Sequence, residues 1–199
     1  MNSDPRITRA PTDQSALAAN PKILLRKSLL NARRAISDDN RALWDAQIGA
    51  RVLAWCAAAK VSQLGVYWPL QGEPDLHSAY VALAALGVRL ALPVVLEKHA
   101  ALEFAQWQPG EAMGRDCMGV AVPARLRMVA GPGALLVPCL GFNRQRFRLG
   151  YGGGFYDRTL ARPPRPVTLG VAYASLAAEF GNDAHDIALD QIVTESGVI

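Results

Sequence analysis

Residues 134–158 read ALLVPCLGFNRQRFRLGYGGGFYDR, and this stretch decides the fold. It opens with a short apolar run bounded by glycine and proline, which predicts a buried strand. A basic segment follows from Asn143 to Arg148, then a loop with four glycines between Gly150 and Gly154, and Phe155–Arg158 begins a predicted helix. Glycine lets the backbone approach a ligand closely, and the amides at a helix N-terminus favour anions. The order strand, glycine loop, helix therefore indicates an α/β protein with a candidate phosphate-binding loop.

The loop matches neither of the common nucleotide motifs. The Walker pattern needs Gly-Lys-Ser/Thr, which is absent, and the dinucleotide fingerprint would place a glycine at Phe155. On chemistry alone, phosphate binding and a plain turn have roughly equal weight. Arg146, Arg148 and Arg158 add charge that suits phosphate oxygens.

Length and composition predict one globular domain. The chain has 199 residues, of which 51% are hydrophobic and 19% charged. No apolar run is long enough to cross a membrane, so we expect a soluble protein with no membrane partner. The net charge of +4 favours anionic partners, but the sequence contains no nucleic-acid-binding motif.

The three cysteines are odd in number and lack metal-binding spacing, which indicates a reduced, cytoplasmic protein. Cys139 lies in the apolar run and is expected to pack in the core. Residues 1–19 are expected to form a mobile tail, followed by a single domain over 20–199.

Elsewhere the chain alternates helical and strand patterns. We predict helices from Pro21 (capped by Asn20) to Ala35, from Ser37 to Lys60, and from an Asp75 cap to Leu86. The strands predicted outside 134–140 are 64–68, 88–95 with Pro93 at an edge or strand end, a half-exposed 102–107, and 167–173. Residues 110–133 are expected to be irregular, and a helical piece at 176–180 precedes a short final strand.

Four separated segments resemble the motifs of the 5-formyltetrahydrofolate cyclo-ligase family, in the family's order. They are KILLR (22–26), YWPLQGEPDL (67–76), RLGYGGGFYDR (148–158) and HDIALDQIVTESGVI (185–199). The resemblance implies a three-layer α/β/α sandwich around a mostly parallel sheet, related to sugar-phosphate isomerases and coenzyme A transferases.

The implied activity is the Mg²⁺- and ATP-dependent cyclisation of 5-formyltetrahydrofolate to 5,10-methenyltetrahydrofolate. ADP and phosphate are released after an imidate phosphate forms on the formyl oxygen. We expect a monomer whose folate carries one glutamate or several. Two alternatives stay open: another ligase or sugar-phosphate enzyme on this fold, and a basic nucleic-acid-associated protein whose binding falls steeply with salt.

The resemblance also assigns roles to residues of this chain. Asp157 and Asp186 correspond to magnesium ligands, and Arg148 and Tyr151 to catalytic residues. The expected ATP contacts are Lys22, Arg26, Arg148, Leu149, Gly150, Tyr151, Gly152, Gly153, Gly154, Phe155 and Tyr156. The expected folate contacts are Trp68, Glu73, Tyr151, Gly152, Gly153, Gly154 and Phe155.

Several of these residues have plainer interpretations when each is taken alone. Lys22 and Arg26 share a helix face that could simply be solvated, and Glu73 could be a loop carboxylate in water. Asp157 could favour a helix N-terminus and Asp186 a turn. Arg33 and Arg34 have no counterpart in the family motif.

The chain departs from the family at one place. The family usually has aspartate and glycine at the positions of Asn143 and Arg146. The departure concerns the turn before Arg148 and, through it, the tightness of nucleotide binding.

Overall fold

A computed structural model describes residues 21–199; the tail predicted at 1–19 and the Asn20 cap lie outside the described residues. The helices in this range are α1 (Pro21–Arg34), α2 (Asp38–Ala58), α3 (His77–Ala85) and α4 (Phe155–Leu160). The strands are β1 (Gln63–Gly65), β2 (Arg89–Val94), β3 (Glu103–Trp107), β4 (Met113–Arg115), β5 (Ala121–Pro123), β6 (Met128–Val129), β7 (Ala134–Pro138), β8 (Gly141–Phe142), β9 (Arg148–Leu149), β10 (Val167–Val171), β11 (Gln191–Thr194) and β12 (Gly197–Val198).

The main sheet is mixed but mostly parallel. Its strand order is β12-β11-β10-β7-β1-β2-β3-β6. The five strands from β11 to β2 run parallel, and β12, β3 and β6 are each antiparallel to a neighbour. Leu64 pairs with both Ala134 and Leu90, which places β1 at the centre beside β7. Because parallel strands end at the same edge, the segments after β1, β7 and β10 meet there.

Residues of β7 alternate between two cores. Leu136 packs in the cluster that contains residues of α1, α2 and α3, whereas Leu135 and Val137 pack in the cluster that contains Leu160 of α4. A sheet buried on both faces explains the continuous apolar run of this strand. The predicted three-layer arrangement is confirmed, with a thin second outer layer in which α4 has only six residues. Cys139 is fully buried, as predicted.

The segment 110–133, predicted to be irregular, instead contains a hairpin of β4 and β5 and the edge strand β6. The prediction was wrong because these strands have only two or three residues, too few for a periodic pattern. The predicted half-exposure of 102–107 was also wrong: Phe104, Ala105 and Trp107 are all buried. The hairpin contributes to this burial, since Val122 of β5 clusters with Ala105.

Two further boundaries differ from the prediction. The helix expected after Asp75 begins at His77, although the Asp75 carboxylate accepts the His77 amide at 2.9 Å. Pro93 was predicted at an edge or a strand end, and the second alternative is confirmed: it precedes Val94, the last residue of the interior strand β2, beyond the pairing with β1. The helical piece expected at 176–180 is a 3₁₀ turn at Ala174–Leu176.

Between β7 and the glycine loop the chain forms a second hairpin, β8–β9. The Asn143 side-chain oxygen accepts the amides of Gln145 and Phe147 at 3.1 and 3.0 Å, as an aspartate would. Arg146 has φ = 63°, a conformation that favours glycine. The two departures from the family motif therefore occupy a turn that suits the family's own residues.

Within residues 21–199, no helix combines the length and the hydrophobicity needed to cross a bilayer.

Candidate active site

The glycine loop leaves β9 and packs against α1. Arg26, on the second turn of α1, donates from Nε to the carbonyl oxygen of Gly150 at 2.8 Å. Gly152 has φ = 94°, and a Cβ there would lie 3.8 Å from the Arg26 guanidinium carbon. Gly154 has φ = 64° and is the N-cap of α4, where a Cβ would lie 2.8 Å from Nη1 of Arg158. Backbone conformation thus favours glycine at these two positions of the loop.

Arg148 and Asp157 form a two-pronged ion pair across the loop. Nη1 and Nη2 of Arg148 lie 2.9 and 2.8 Å from the two carboxylate oxygens of Asp157. The arginine side chain is nearly buried, and its guanidinium lies 5.5 Å from the ring centroid of Tyr156. The parallel geometry fixes both groups at the start of α4.

Lys22 forms a second charged cluster beside the first. Its Nζ lies 2.6 Å from Asp183 and 3.0 Å from Asp186, and the Asp183 amide donates to Asp186 at 2.8 Å. Burial opposes ionisation of Asp186, but the Asp183 amide and the Lys22 ammonium outweigh it and hold the pKa of that carboxyl below its ordinary value. The Ile187 amide contacts Asp157 at 3.4 Å, so the two clusters are neighbours.

Glu73 is buried on the other side of the loop, with 3% of its surface exposed. One carboxylate oxygen accepts the Leu70 amide at 2.9 Å, and the other accepts the Tyr151 hydroxyl at 2.8 Å. Burial raises the pKa of Glu73; the Leu70 amide, the Tyr151 hydroxyl and the positive charge of Arg33 oppose the rise. The structure therefore excludes the plain interpretation of Glu73 as a loop carboxylate in water.

Trp68 extends this side of the site. It packs edge-on against His77, with ring centroids 4.5 Å apart, and against Trp107 at 6.1 Å. Together with Leu70 it lines a cleft of about 400 Å³ whose other wall is the β4–β5 hairpin, including Arg115. The cleft adjoins Glu73 because the Leu70 amide bonds to that carboxylate.

The structure brings most of the predicted site residues together at the carboxyl edge of the sheet. Leu149 differs, because its side chain is buried in the main core and its carbonyl accepts the Leu140 amide at 3.0 Å. Phe155 and Tyr156 pack half-buried at the start of α4.

Arg33 was not predicted to take part, yet it donates to the hydroxyl of Tyr151. Its spacing of seven residues from Arg26 and eleven from Lys22 was the one signal available, since these positions share a helix face.

Asp157 and Asp186 offer the hard oxygen donors that magnesium prefers. Each carboxylate is ion-paired with a cation of the chain, Arg148 or Lys22. Within residues 21–199, no third Asp, Glu, His or Cys joins them in a metal-binding group. The donor set suits an ion held partly by phosphate oxygens rather than a cage built by the protein alone.

Comparison with known proteins agrees with this geometry. The model of the 5-formyltetrahydrofolate cyclo-ligase family matches residues 18–195. A 5-formyltetrahydrofolate cyclo-ligase of Mycolicibacterium smegmatis is 29% identical over 190 residues, which are 89% of this chain and 95% of that protein.

Two solved structures are similar to this one. The NMR structure of a 5,10-methenyltetrahydrofolate synthetase from Aquifex aeolicus has a TM-score of 0.77 and 28% identity, covering 89% of this chain and 91% of that one. A 5,10-methenyltetrahydrofolate synthetase from Mycoplasma pneumoniae shares the fold, with a TM-score of 0.74, 23% identity, and coverage of 88% of this chain and 99% of that one. The chain described here belongs to the 5-formyltetrahydrofolate cyclo-ligase family.

Proposed function

We propose that this protein catalyses the ATP- and Mg²⁺-dependent cyclisation of 5-formyltetrahydrofolate to 5,10-methenyltetrahydrofolate, releasing ADP and phosphate. One observation carries the proposal. A glycine loop bordered by Lys22, Arg26 and Arg148 also carries Tyr151, whose hydroxyl bonds to the buried carboxylate of Glu73. A site for a polyanion and a site for a hydrogen-bond-donating ring thus share one loop.

The phosphate side of the site would hold ATP. Lys22, Arg26 and Arg148 supply positive charge, and the loop amides between Gly150 and Gly154 can orient phosphate oxygens. Leu149 would contribute through its backbone, because its side chain is in the core. Phe155 and Tyr156 would line the nucleotide.

Asp157 and Asp186 would hold magnesium together with the phosphates. When bound, the metal would neutralise phosphate charge as a Lewis acid. The carboxylates would then exchange their present partners, Arg148 and Lys22, for the metal, while those two cations turn to the phosphates. The exchange is supported because each of these charges has an opposite partner both before and after it.

The folate side would receive the pterin. Its 2-amino group and ring N–H form a donor edge that the carboxylate of Glu73 can accept, and Trp68 offers an aromatic surface next to it. Tyr151, Phe155 and the backbone of Gly152–Gly154 would flank the formyl group. The glutamate tail, with one residue or several, would leave along the cleft beside Arg115, whose charge suits carboxylates.

The formyl carbon is a poor electrophile until its oxygen is made a leaving group. In the proposed reaction the formyl oxygen accepts the γ-phosphoryl group, giving an imidate phosphate and ADP. Nitrogen 10 of the substrate then attacks the formyl carbon, loses its proton, and phosphate leaves. Arg148 would stabilise charge on the transferred group, and Tyr151 would hold the formyl group in place. The nucleophile belongs to the substrate, so no nucleophilic side chain is needed.

We infer further that the protein acts as a monomer in the cytoplasm, with neither nucleic acid nor membrane as partner. Cys56, Cys117 and Cys139 are free thiols, which supports a reducing compartment.

The proposal is tested by following methenyltetrahydrofolate absorbance with purified protein, 5-formyltetrahydrofolate and Mg-ATP, leaving out each component in turn. We expect product only in the complete mixture. ATP binding without product in the complete mixture would instead indicate a related enzyme with a different second substrate.

A further inference from the structure

Arg33 is a fully buried arginine on α1 with no role in the proposed chemistry so far. Its Nε donates to the Gln71 carbonyl oxygen at 3.2 Å, and Nη2 donates to the Tyr151 hydroxyl. The guanidinium carbon also lies 5.6 Å from the centre of the Tyr151 ring. Nη1 is buried and has no hydrogen-bond partner within residues 21–199. A buried charge is costly unless it is paired, so this arginine needs an explanation.

The hydrogen bonds run in one direction only. Arginine has donors and no acceptor, so the oxygen of Tyr151 must accept from Arg33. The hydroxyl proton of Tyr151 is then free to point only towards Glu73, whose carboxylate oxygen lies 2.8 Å away. Arg33 thereby sets the orientation of the tyrosine hydroxyl, and its positive charge offsets part of the cost of burying Glu73.

The same contacts tie three segments together. Arg33 belongs to α1, Gln71 and Glu73 to the loop after β1, and Tyr151 to the glycine loop. Among these contacts, the hydroxyl of Tyr151 is the one that joins the glycine loop to Glu73. It accepts a hydrogen bond from Arg33 and donates one to Glu73.

We propose that Arg33 is a positioning residue for folate, which holds Glu73 and Tyr151 in the arrangement that receives the pterin. This inference rests on the proposed function, in which Glu73 binds the donor edge of the pterin. It separates Arg33 from Lys22 and Arg26, which lie on the same helix: those two act on ATP, and Arg33 acts on folate.

The charge of Arg33 should be visible in the pH dependence of folate binding. Tyr67, Tyr80, Cys139, Tyr151 and Tyr156 surround Glu73 and are neutral near pH 7, and burial raises the pKa of each of them further. Arg41 donates to the Gly72 carbonyl at 2.8 Å, but Arg33 is the cation that opposes the rise in the pKa of Glu73. Removing Arg33 therefore makes the carboxylate form of Glu73 harder to reach. Folate binding by such a variant should strengthen as the pH rises, more steeply than in the wild type.

The test compares Arg33→Met with Arg34→Met. Methionine keeps much of the arginine stem but has no donors, and Arg34 is the exposed neighbour of Arg33 on α1. For Arg33→Met we expect the Kd of 5-formyltetrahydrofolate in calorimetric titration to rise about tenfold, because a charge-assisted hydrogen-bond network is lost. The Kd of Mg-ATP should change less than about twofold, since Arg33 meets the glycine loop at the hydroxyl and ring of Tyr151, whereas the phosphates would be oriented by the loop amides. Arg34→Met should match the wild type in both, and Arg33→Lys should recover part of the folate affinity.

Titrations between pH 5.5 and 8.5 provide the readout that a merely structural role would not change. We expect the folate affinity of Arg33→Met to rise with pH over this range more steeply than that of the wild type, while staying below the wild-type value because the hydrogen bonds of Arg33 are not restored. If Arg33→Met does not fold, Arg33→Lys takes its place and should show a smaller loss of folate affinity with ATP binding retained.

Wild-type folate affinity in the foldable variant, or an equal loss of folate and ATP affinity, would overturn the role of Arg33 while leaving the proposed function intact. A wild-type protein that makes no product from the complete mixture would contradict the proposed function itself and the folate role of Arg33 with it.

Discussion

The two sides of the glycine loop handle charge in opposite ways. On the phosphate side, Lys22 and Arg148 are paired with the carboxylates of Asp183, Asp186 and Asp157, and Asp183 keeps 73% of its side chain exposed. On the folate side, Glu73 stands as a single carboxylate with 3% exposure, held by an amide, a hydroxyl and, beyond that hydroxyl, Arg33.

The difference fits the roles proposed for the two sides. Lys22, Asp157 and Asp186 are paired and partly exposed, so they can exchange partners when a phosphate and a metal arrive, at little cost in desolvation. A buried carboxylate with oriented donors cannot move, and it rejects ligands that fail to satisfy it. We therefore expect changes on one side to affect one substrate only.

The largest effect is expected from Arg148→Ala. It leaves Asp157 without its partner and removes charge from the proposed phosphoryl-transfer site. We expect kcat/KM for Mg-ATP to fall about a thousandfold, or about 4 kcal/mol, as for the loss of one transition-state contact. Arg144→Ala is the control, because Arg144 lies in the same hairpin but is exposed, and its ion pair with Glu179 is long, at 3.8 Å. Equal losses in the two variants would contradict the role of Arg148.

Glu73→Gln should affect the opposite side. The amide keeps the shape but loses the charge, and we expect the KM for 5-formyltetrahydrofolate to rise about a hundredfold, as for the loss of hydrogen bonds to a charged group. The KM for Mg-ATP should change less than about twofold. A large rise in the KM for ATP would break the division between the two sides.

The same variant gives a stability prediction with a defined sign. Burial raises the pKa of Glu73 above its ordinary 4.5, so the folded protein keeps a proton that the unfolded chain has lost. The stability that protonated Glu73 contributes to the wild type is therefore lost as the pH rises from the ordinary pKa towards the raised one. Glutamine does not titrate, so the variant has no such loss. Denaturant unfolding from pH 4 to 8 should show the variant gaining free energy of unfolding relative to the wild type, and a constant difference over this range would contradict the prediction.

Asp186→Asn tests the exchange of ion pairs on the phosphate side. We expect the Mg²⁺ concentration for half-maximal activity to rise about tenfold, because one proposed ligand is lost. Thermal stabilisation by Mg-ATP over ATP alone should shrink as well. Asp183→Asn is matched, since Asp183 also bonds Lys22 but is not a proposed ligand, and it should shift the requirement less than about twofold. A larger shift in Asp183→Asn than in Asp186→Asn would indicate that Asp183, and not Asp186, is the metal ligand.

The smallest effect is expected from Arg115→Gln in the cleft beside Trp68. An exposed cation contributes up to about 1 kcal/mol to binding a carboxylate. We therefore expect the wild type to bind triglutamate substrate about threefold more tightly than monoglutamate substrate, and Arg115→Gln to lose this preference. Arg125→Gln, an exposed arginine outside the cleft, should keep it. If the wild type shows no such advantage, the tail takes another path.

The strand–loop–helix unit of the proposed phosphate side could be predicted from the sequence because its residues are close along the chain. Gly150 to Asp157 lie in one strand–loop–helix unit whose glycines and basic flank carry their own physical meaning. Lys22 and Arg26 have helical spacing, but their position against the loop followed only from the family motif.

The geometry of the proposed folate side could be predicted only in part, because it depends on distant contacts. Arg33 lies 118 positions from Tyr151, and Tyr151 lies 78 positions from Glu73. From the residues alone, an arginine at the end of an amphipathic helix is expected on the surface. Arg33 is instead covered by the loop after β1 and by the glycine loop, and such burial leaves no periodic pattern in the sequence. The β4–β5 hairpin that walls the cleft was missed for a similar reason, since three-residue strands follow no visible pattern.

The most direct test of this division is to determine the KM values of both substrates in Glu73→Gln by methenyltetrahydrofolate formation. We predict a folate KM about a hundredfold above the wild type and an unchanged KM for Mg-ATP. An unchanged folate KM, or an equal rise for both substrates, would contradict the assignment of the buried carboxylate to folate.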